Sequence, residues 1–181
     1  EWGVSGGIGL ISSRLTAEGP IQKDKGSMIL SARRTYADVL ARPFLDEPFS
    51  EVDLYFYDLN FKANYKLGEK DRIYLSAYNG NDVFATDEFG FDWGNTTATL
   101  RWNHLFSDKL FSNTTLIYSD YDYGFKIQAG GNTINLSSGI YDYNLKQDYN
   151  WYVNPNNTLR FGWQGIYHRL LPNEVTFDDG T

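Results

Sequence analysis

The 181-residue chain has no cysteine, so neither a disulfide framework nor a thiolate metal site can hold it together. It also has no apolar run near the roughly 20 residues of a membrane helix, which excludes a helical membrane protein. Basic charge is in deficit. Lys and Arg number 16 against 23 Asp and Glu, a net charge of -7, and the cations stand singly along the chain. A phosphate-tracking protein needs a basic stripe, so nucleic-acid binding is excluded. The opening Glu1-Trp2-Gly3-Val4 has neither the basic flank nor the apolar stretch of a signal peptide, so residue 1 reads as a mature terminus or as a cut within something longer. Gly7-Ile8-Gly9 lacks the third glycine and the helix of a dinucleotide fingerprint.

What the chain has in quantity is aromatic residues: 17% of the total, with Tyr 14 and Phe 12. They fall in alternating patterns. From Thr97 to Phe106 the even positions carry Ala98, Leu100, Trp102 and Phe106, and the odd ones Thr97, Thr99, Arg101 and Asn103. That is a strand with one apolar and one polar face. Ser107-Asp108-Lys109 turns the chain into Phe111 to Tyr118, a second strand rich in β-branched and aromatic residues. The unit from Trp93 to Gly124 is therefore a hairpin with one tight turn.

Further strands are expected over Trp2–Leu10, Ile11–Glu18 (ended by Gly19-Pro20), Met28–Tyr36, Val52–Leu67, Arg72–Gly80, Ser138–Val153 and Thr158–Leu170. Val52–Leu67 reads as the longest. Short turns at Lys23–Gly26, Gly68–Asp71, Ser107–Lys109 and Asn154–Asn157 alternate with longer connections: a loop with Pro43 and Pro48, the stretch Asn81–Asp92, and Gln128–Asn132. About nine strands and no helix of credible length result. Crossing a bilayer takes about 9–11 tilted residues per strand. Alternation hides hydrophobicity from an average, so the negative mean hydropathy fits a transmembrane β-barrel. Nine strands do not make a whole bacterial barrel, which closes with an even number.

The run Ser12-Ser13-Arg14-Leu15-Thr16-Ala17-Glu18-Gly19-Pro20-Ile21, the turn Lys23-Asp24-Lys25-Gly26-Ser27 and Ser31-Ala32-Arg33-Arg34-Thr35-Tyr36 follow the Gly-rich first strand. Together they resemble the start of the barrel in TonB-dependent outer-membrane receptors, particularly of the Bacteroidetes type. Trp102-Asn103-His104 and Phe106-Ser107-Asp108-Lys109-Leu110 are similar to later hairpins of that family. The resemblance implies an all-β, antiparallel transmembrane barrel segment in the bacterial outer membrane, about nine strands of a 22-stranded barrel with a plugged lumen. Residues 1–181 would be one partial barrel domain, with the plug domain before it and about thirteen strands after it. The implied partners are outer-membrane lipid, the plug, the remaining strands, the TonB complex and a surface lipoprotein. The implied role is import of a scarce nutrient such as a glycan, metal chelate, cobalamin or peptide.

Three groups of residues stand out. Tyr57, Leu59, Phe61, Leu100, Trp102, Phe161 and Trp163 lie in the apolar phase of their strands and are expected to face lipid. Arg14, Arg33, Lys62, Arg101 and Arg160 lie in the opposite phase with Glu18, Asp58, Asp142 and Asp148. They are expected either to grip a plug through charge-assisted bonds or simply to line a wet interior. The acidic aromatic stretch with Asp82, Phe84, Asp87, Glu88, Phe89, Phe91 and Asp92 is the ligand-loop candidate. Its acids do not follow a calcium-loop pattern, and no metal or cofactor is expected. His104 and His168 have no acidic or cysteine neighbour at ligand spacing, and no catalytic constellation appears, so no enzyme is expected.

Two other architectures fit the composition. One is a soluble β-sandwich acting as a glycan-binding module, with the aromatic faces packed together as a core. The other is a small outer-membrane barrel of eight or ten strands, an adhesin or porin. Exposure of Tyr57, Leu59, Phe61 and Trp102 separates the sandwich from the barrels.

Overall fold

The computed structural model describes residues 1–44 and 52–178. Nine strands follow in chain order: β1 (Gly3–Ile8), β2 (Ser12–Gln22), β3 (Gly26–Thr35), β4 (Asp53–Lys66), β5 (Asp71–Ala85), β6 (Phe89–Ser107), β7 (Leu110–Ala129), β8 (Asn132–Asn154) and β9 (Asn157–Asp178). A five-residue helix, α1 (Ala37–Ala41), and a 3-10 turn over Arg42–Phe44 stand between β3 and β4. Pro43 sits in that turn, and Pro48 lies outside the described residues. The nine strands form one antiparallel sheet in the order β1 to β9, each paired with the next. The protein is all-β.

From β5 onward the strands are longer than expected from sequence, while β1 and β4 are shorter and β4 is not the longest. β4 has 14 residues, whereas β6 has 19, β7 20, β8 23 and β9 22. The Gly- and Asp-rich stretches that read as connections are strand. Asn81–Ala85 continues β5, Phe89–Asp92 begins β6, and only 86–88 turns the chain. Thr86 holds that turn with its backbone N–H on the Phe89 carbonyl (2.6 Å) and its hydroxyl accepting from the Phe89 N–H (3.1 Å). Gln128–Asn132 contracts to Gly130 and Gly131, at φ of 61° and 83°. Positive φ at both centres is the two-residue turn whose twist suits adjoining strands, and only glycine takes it without strain. β2 likewise runs through Gly19-Pro20 to Gln22, with a register shift after Pro20 where no ladder N–H is available.

Among the described residues the sheet has no second layer. No apolar side chain is buried among the described residues. Leu59, Leu100, Trp102 and Trp163 are 44%, 42%, 43% and 55% exposed, which overturns the sandwich with its aromatic core. The sheet instead bends around its polar face. An open hollow of about 1670 Å³ on that side is bounded by side chains from β2 (Glu18), β3 (Ser27), β4 (Lys62), β5 (Ser76), β6 (Arg101) and β7 (Asn113), in keeping with curvature of the sheet toward them.

Candidate functional site

Residues directly opposite in an antiparallel ladder share a face, so the register sorts every strand position onto one of two sides. Met28, Ala63, Leu75, Leu100, Leu116, Leu145 and Gly165 form one row across seven strands. Leu30, Phe61, Ala77, Ala98, Tyr118, Tyr143 and Tyr167 form the row above it. All seven residues expected to face lipid, Tyr57, Leu59, Phe61, Leu100, Trp102, Phe161 and Trp163, lie on this apolar side. Aromatic rings bracket the leucines. Toward the short turns, Tyr149 stacks on Phe161 at 5.1 Å, and Trp102 lies beside His104. Toward the other end, Tyr118, Tyr143 and Tyr167 follow one another at 5.3 and 6.4 Å.

The opposite side collects Arg14, Arg33, Lys62, Arg101 and Arg160, together with Glu18, Asp58, Asp142 and Asp148. Arg33 Nε donates to Asp58 Oδ2 at 2.6 Å and its guanidinium covers the Phe56 ring at 4.8 Å. Both histidines have acidic neighbours that sequence spacing does not show, because the partners come from other strands. His104 Nδ1 is 2.7 Å from Asp71 Oδ1, which also accepts from Trp102 Nε1 at 2.8 Å. His168 pairs with Asp142. No group of three metal-ligating side chains occurs among the described residues.

Above the tyrosine row the two sides exchange character. On the formerly apolar side the rows become Thr96, Asp120, Tyr141, Arg169; then Gly94, Asp122, Gly139; then Asp92, Gly124, Ser137, Glu174. On the formerly polar side, Leu54, Phe84, Phe91, Phe125, Leu136 and Val175 stand in one unbroken row on β4 to β9. Phe89, Ile127, Ile134 and Phe177 make the next row. Five rings touch in sequence: Phe84 and Phe89 at 6.1 Å, Phe89 and Phe125 at 4.8 Å, Phe125 and Phe91 at 6.2 Å, Phe91 and Trp93 at 4.9 Å.

The stretch expected as one ligand loop is thus divided. Asp82, Phe84, Phe89 and Phe91 lie on the side that carries the arginines, Asp92 lies on the other, and Asp87 and Glu88 are in the turn. The alternation of strand side chains separates them, and no loop gathers them. The sequence reading missed Leu54, Trp93, Phe125, Leu136 and Val175 as neighbours of these phenylalanines. The available signal was a change of phase: apolar residues of β6 fall on odd positions from Phe89 through Trp93 and on even positions from Ala98 through Trp102.

Asp122 and Asp92 lean over glycines of the neighbouring strand. A Cβ on Gly94 would sit 2.9 Å from Asp122 Oδ1, and one on Gly124 would sit 2.6 Å from Asp92 Oδ1. Desolvation there pushes the Asp122 carboxyl above its ordinary value, and the charges of Asp120 and Asp92 push in the same direction. A carboxyl whose folded pKa is raised destabilises the fold fully above that value and not at all below the ordinary carboxylate range. Asp122→Asn is therefore expected to slow amide hydrogen exchange in the far parts of β6 and β7 at pH 7. Near about pH 3, where both states are protonated, variant and parent should exchange alike.

No protein-family model matches the chain, and no curated protein matches it. Among solved structures it is similar to the "CymD monoaromatic hydrocarbon channel", with 11% identity over 96% of this chain and 74% of that one. The TM-score is 0.30, too low for the likeness to bear on fold or function.

Proposed function

We propose that this chain forms part of the wall of a transmembrane β-barrel in a bacterial outer membrane, with its concave polar side lining a channel and its convex side against lipid. The observation that carries this reading is the pairing of the two sides of one curved, coreless sheet. A leucine row between aromatic belts lies outside, and a cavity with Lys62, Arg101 and Glu18 lies inside. In water the uncovered apolar side would be an aggregation surface; in a bilayer it is already solvated. Strands of 19–23 residues are about twice what a crossing needs, so β6 to β9 continue into the aqueous phase beyond the tyrosine row. The exchange of polarity at that row fits such a boundary.

Among the described residues β1 and β9 each have one unpaired edge, and a wall in lipid has to close. Further strands therefore complete it in this reading. The finer assignment, a wall segment of a TonB-dependent nutrient receptor with plug, TonB complex and surface lipoprotein as partners and no catalysis of its own, rests on the sequence resemblance alone. Arg14, Arg33, Lys62, Arg101 and Arg160 are the residues through which a plug would be held.

The absence of cysteine gives a clean background for the test. In outer-membrane vesicles, Thr99→Cys and Lys62→Cys should react with a charged, water-soluble maleimide. Leu59→Cys, Leu100→Cys and Phe161→Cys should react only with a lipid-soluble one. Equal reaction of both sets with the charged reagent would reject the barrel wall. The receptor assignment is tested by the mass of the intact native polypeptide: several times 20.8 kDa supports it, and a mass near 20.8 kDa rejects it.

A further inference from the structure

We infer that the surface around Tyr74, on the channel side of β4, β5 and β6, captures small organic anions that carry a carboxylate or phosphate group. The inference rests on the barrel-wall reading and gives its solute a charge. Register places Tyr74 at the centre of three rows, with Lys62, Lys66, Arg72 and Arg101 among its eight nearest neighbours on that side. The other four are neutral amides and hydroxyls. Cations that stand singly along the sequence are thus gathered round one ring by the pairing of three strands. The same rows carry no acid on β3 or β7 either.

Little among the described residues neutralises this charge. Lys66 pairs with Glu69 at 3.2 Å, a turn side chain that is 93% exposed. Lys62, Arg72 and Arg101 are exposed and have no ion-pair partner among the described residues. The nearest acids along the same rows are Glu18, two strands from Lys62, and Asp148, three strands from Arg72 and held by Lys146 at 3.0 Å. The acids that border the hollow, Glu1, Glu18 and Asp24, belong to the flank before β3, and Asp24 lies between Lys23 and Lys25 in sequence. Lys66 and Arg72 stand directly opposite, an arrangement that costs sheet stability through repulsion and that a shared anion relieves. The hollow of about 1670 Å³ at Lys62 and Arg101 adjoins a second of about 480 Å³ at Lys66 and Arg72, and the Tyr74 and Phe111 rings border both. Guanidinium forks match carboxylate and phosphate oxygens, and the two rings offer apolar surface to the body of the same solute.

The test uses the complete native protein in phosphatidylcholine nanodiscs, with 4-fluorobenzoate as probe and uncharged 4-fluorobenzamide as its match. Each is read by fluorine NMR line width against empty nanodiscs. The parent should broaden the benzoate line well beyond the benzamide line, and added salt should remove most of the difference. Arg72→Gln with Arg101→Gln should weaken benzoate binding about tenfold. Lys126→Gln, which removes a cation from the reverse side of β7, should leave it unchanged. Equal broadening of the two probes by the parent overturns the inference, and that comparison needs no variant. A loss with Lys126→Gln equal to that of the arginine pair overturns it too. An acidic part of the protein seated on these cations would leave benzoate unbound, and the inference falls with that result. The cysteine reactions at Leu59 and Leu100 report the wall on separate residues. Their failure rejects the wall and the channel side with it, whereas unbound benzoate while they hold rejects the capture site alone.

Discussion

Leu100→Arg should lower the stability of the membrane-inserted protein by about 2–4 kcal/mol, the cost of a cation near the bilayer midplane. The measurement is urea unfolding in lipid vesicles, followed by tryptophan fluorescence and by altered migration of the folded form on unboiled gels. Leu100 suits the test because its row neighbours, Leu75 and Leu116, offer no carboxylate to the guanidinium. Thr99→Arg, one position along β6, places the same charge on the channel side beside Arg101 and Lys62, where water reaches it. It should cost less than about 1 kcal/mol. An equal cost for the two substitutions would mean that the sides do not differ in solvent, and the barrel wall would fall with that result.

Gly162→Ala is the second large effect. A methyl group at this position would stand 2.2 Å from the Gln147 carbonyl oxygen and 3.1 Å from the Asp148 Cα. Both are backbone atoms of β8, fixed by the ladder on either side, so β9 has to move away and surrender local pairing. Overpacking of this kind costs about 1–3 kcal/mol. Gly165→Ala is the control, because nothing lies within 4 Å of the added methyl. Its effect should stay within about 0.5 kcal/mol. Near-equal midpoints for the two variants in the same urea titration would mean that β9 does not approach β8 as closely as the structure has it.

Much of the fold was legible in the alternation itself. Tyr57, Leu59 and Phe61 against Asp58, Asn60 and Lys62 set both the strand and its two sides, because a period of two is a local property of extended backbone. About nine strands were expected, and nine are present among the described residues. The seven apolar and five basic positions assigned to opposite sides lie on opposite sides. Strand ends were misread where β2 runs through Gly19-Pro20 and β9 runs past Leu170 to Asp178, and most extensively in the far halves of β5 to β8, where Gly90, Gly94, Asp92 and Asp122 imitate a loop. Composition favours turns there, yet glycine and aspartate pair as strand when the neighbouring ladder continues past them.

Sequence by itself determined the strand class, the strand count and the division of each strand into a polar and an apolar phase, since each depends on residues a few positions apart. Only the tertiary structure decided which side is concave, and that the phase reverses on successive strands so that Phe84, Phe91, Phe125 and Leu136 stand in one row. Register joins residues as far apart as Leu54 and Val175 through five pairings. A one-residue slip in any of them would turn part of that row to the other side, so the row belongs to the assembled sheet and to no single strand.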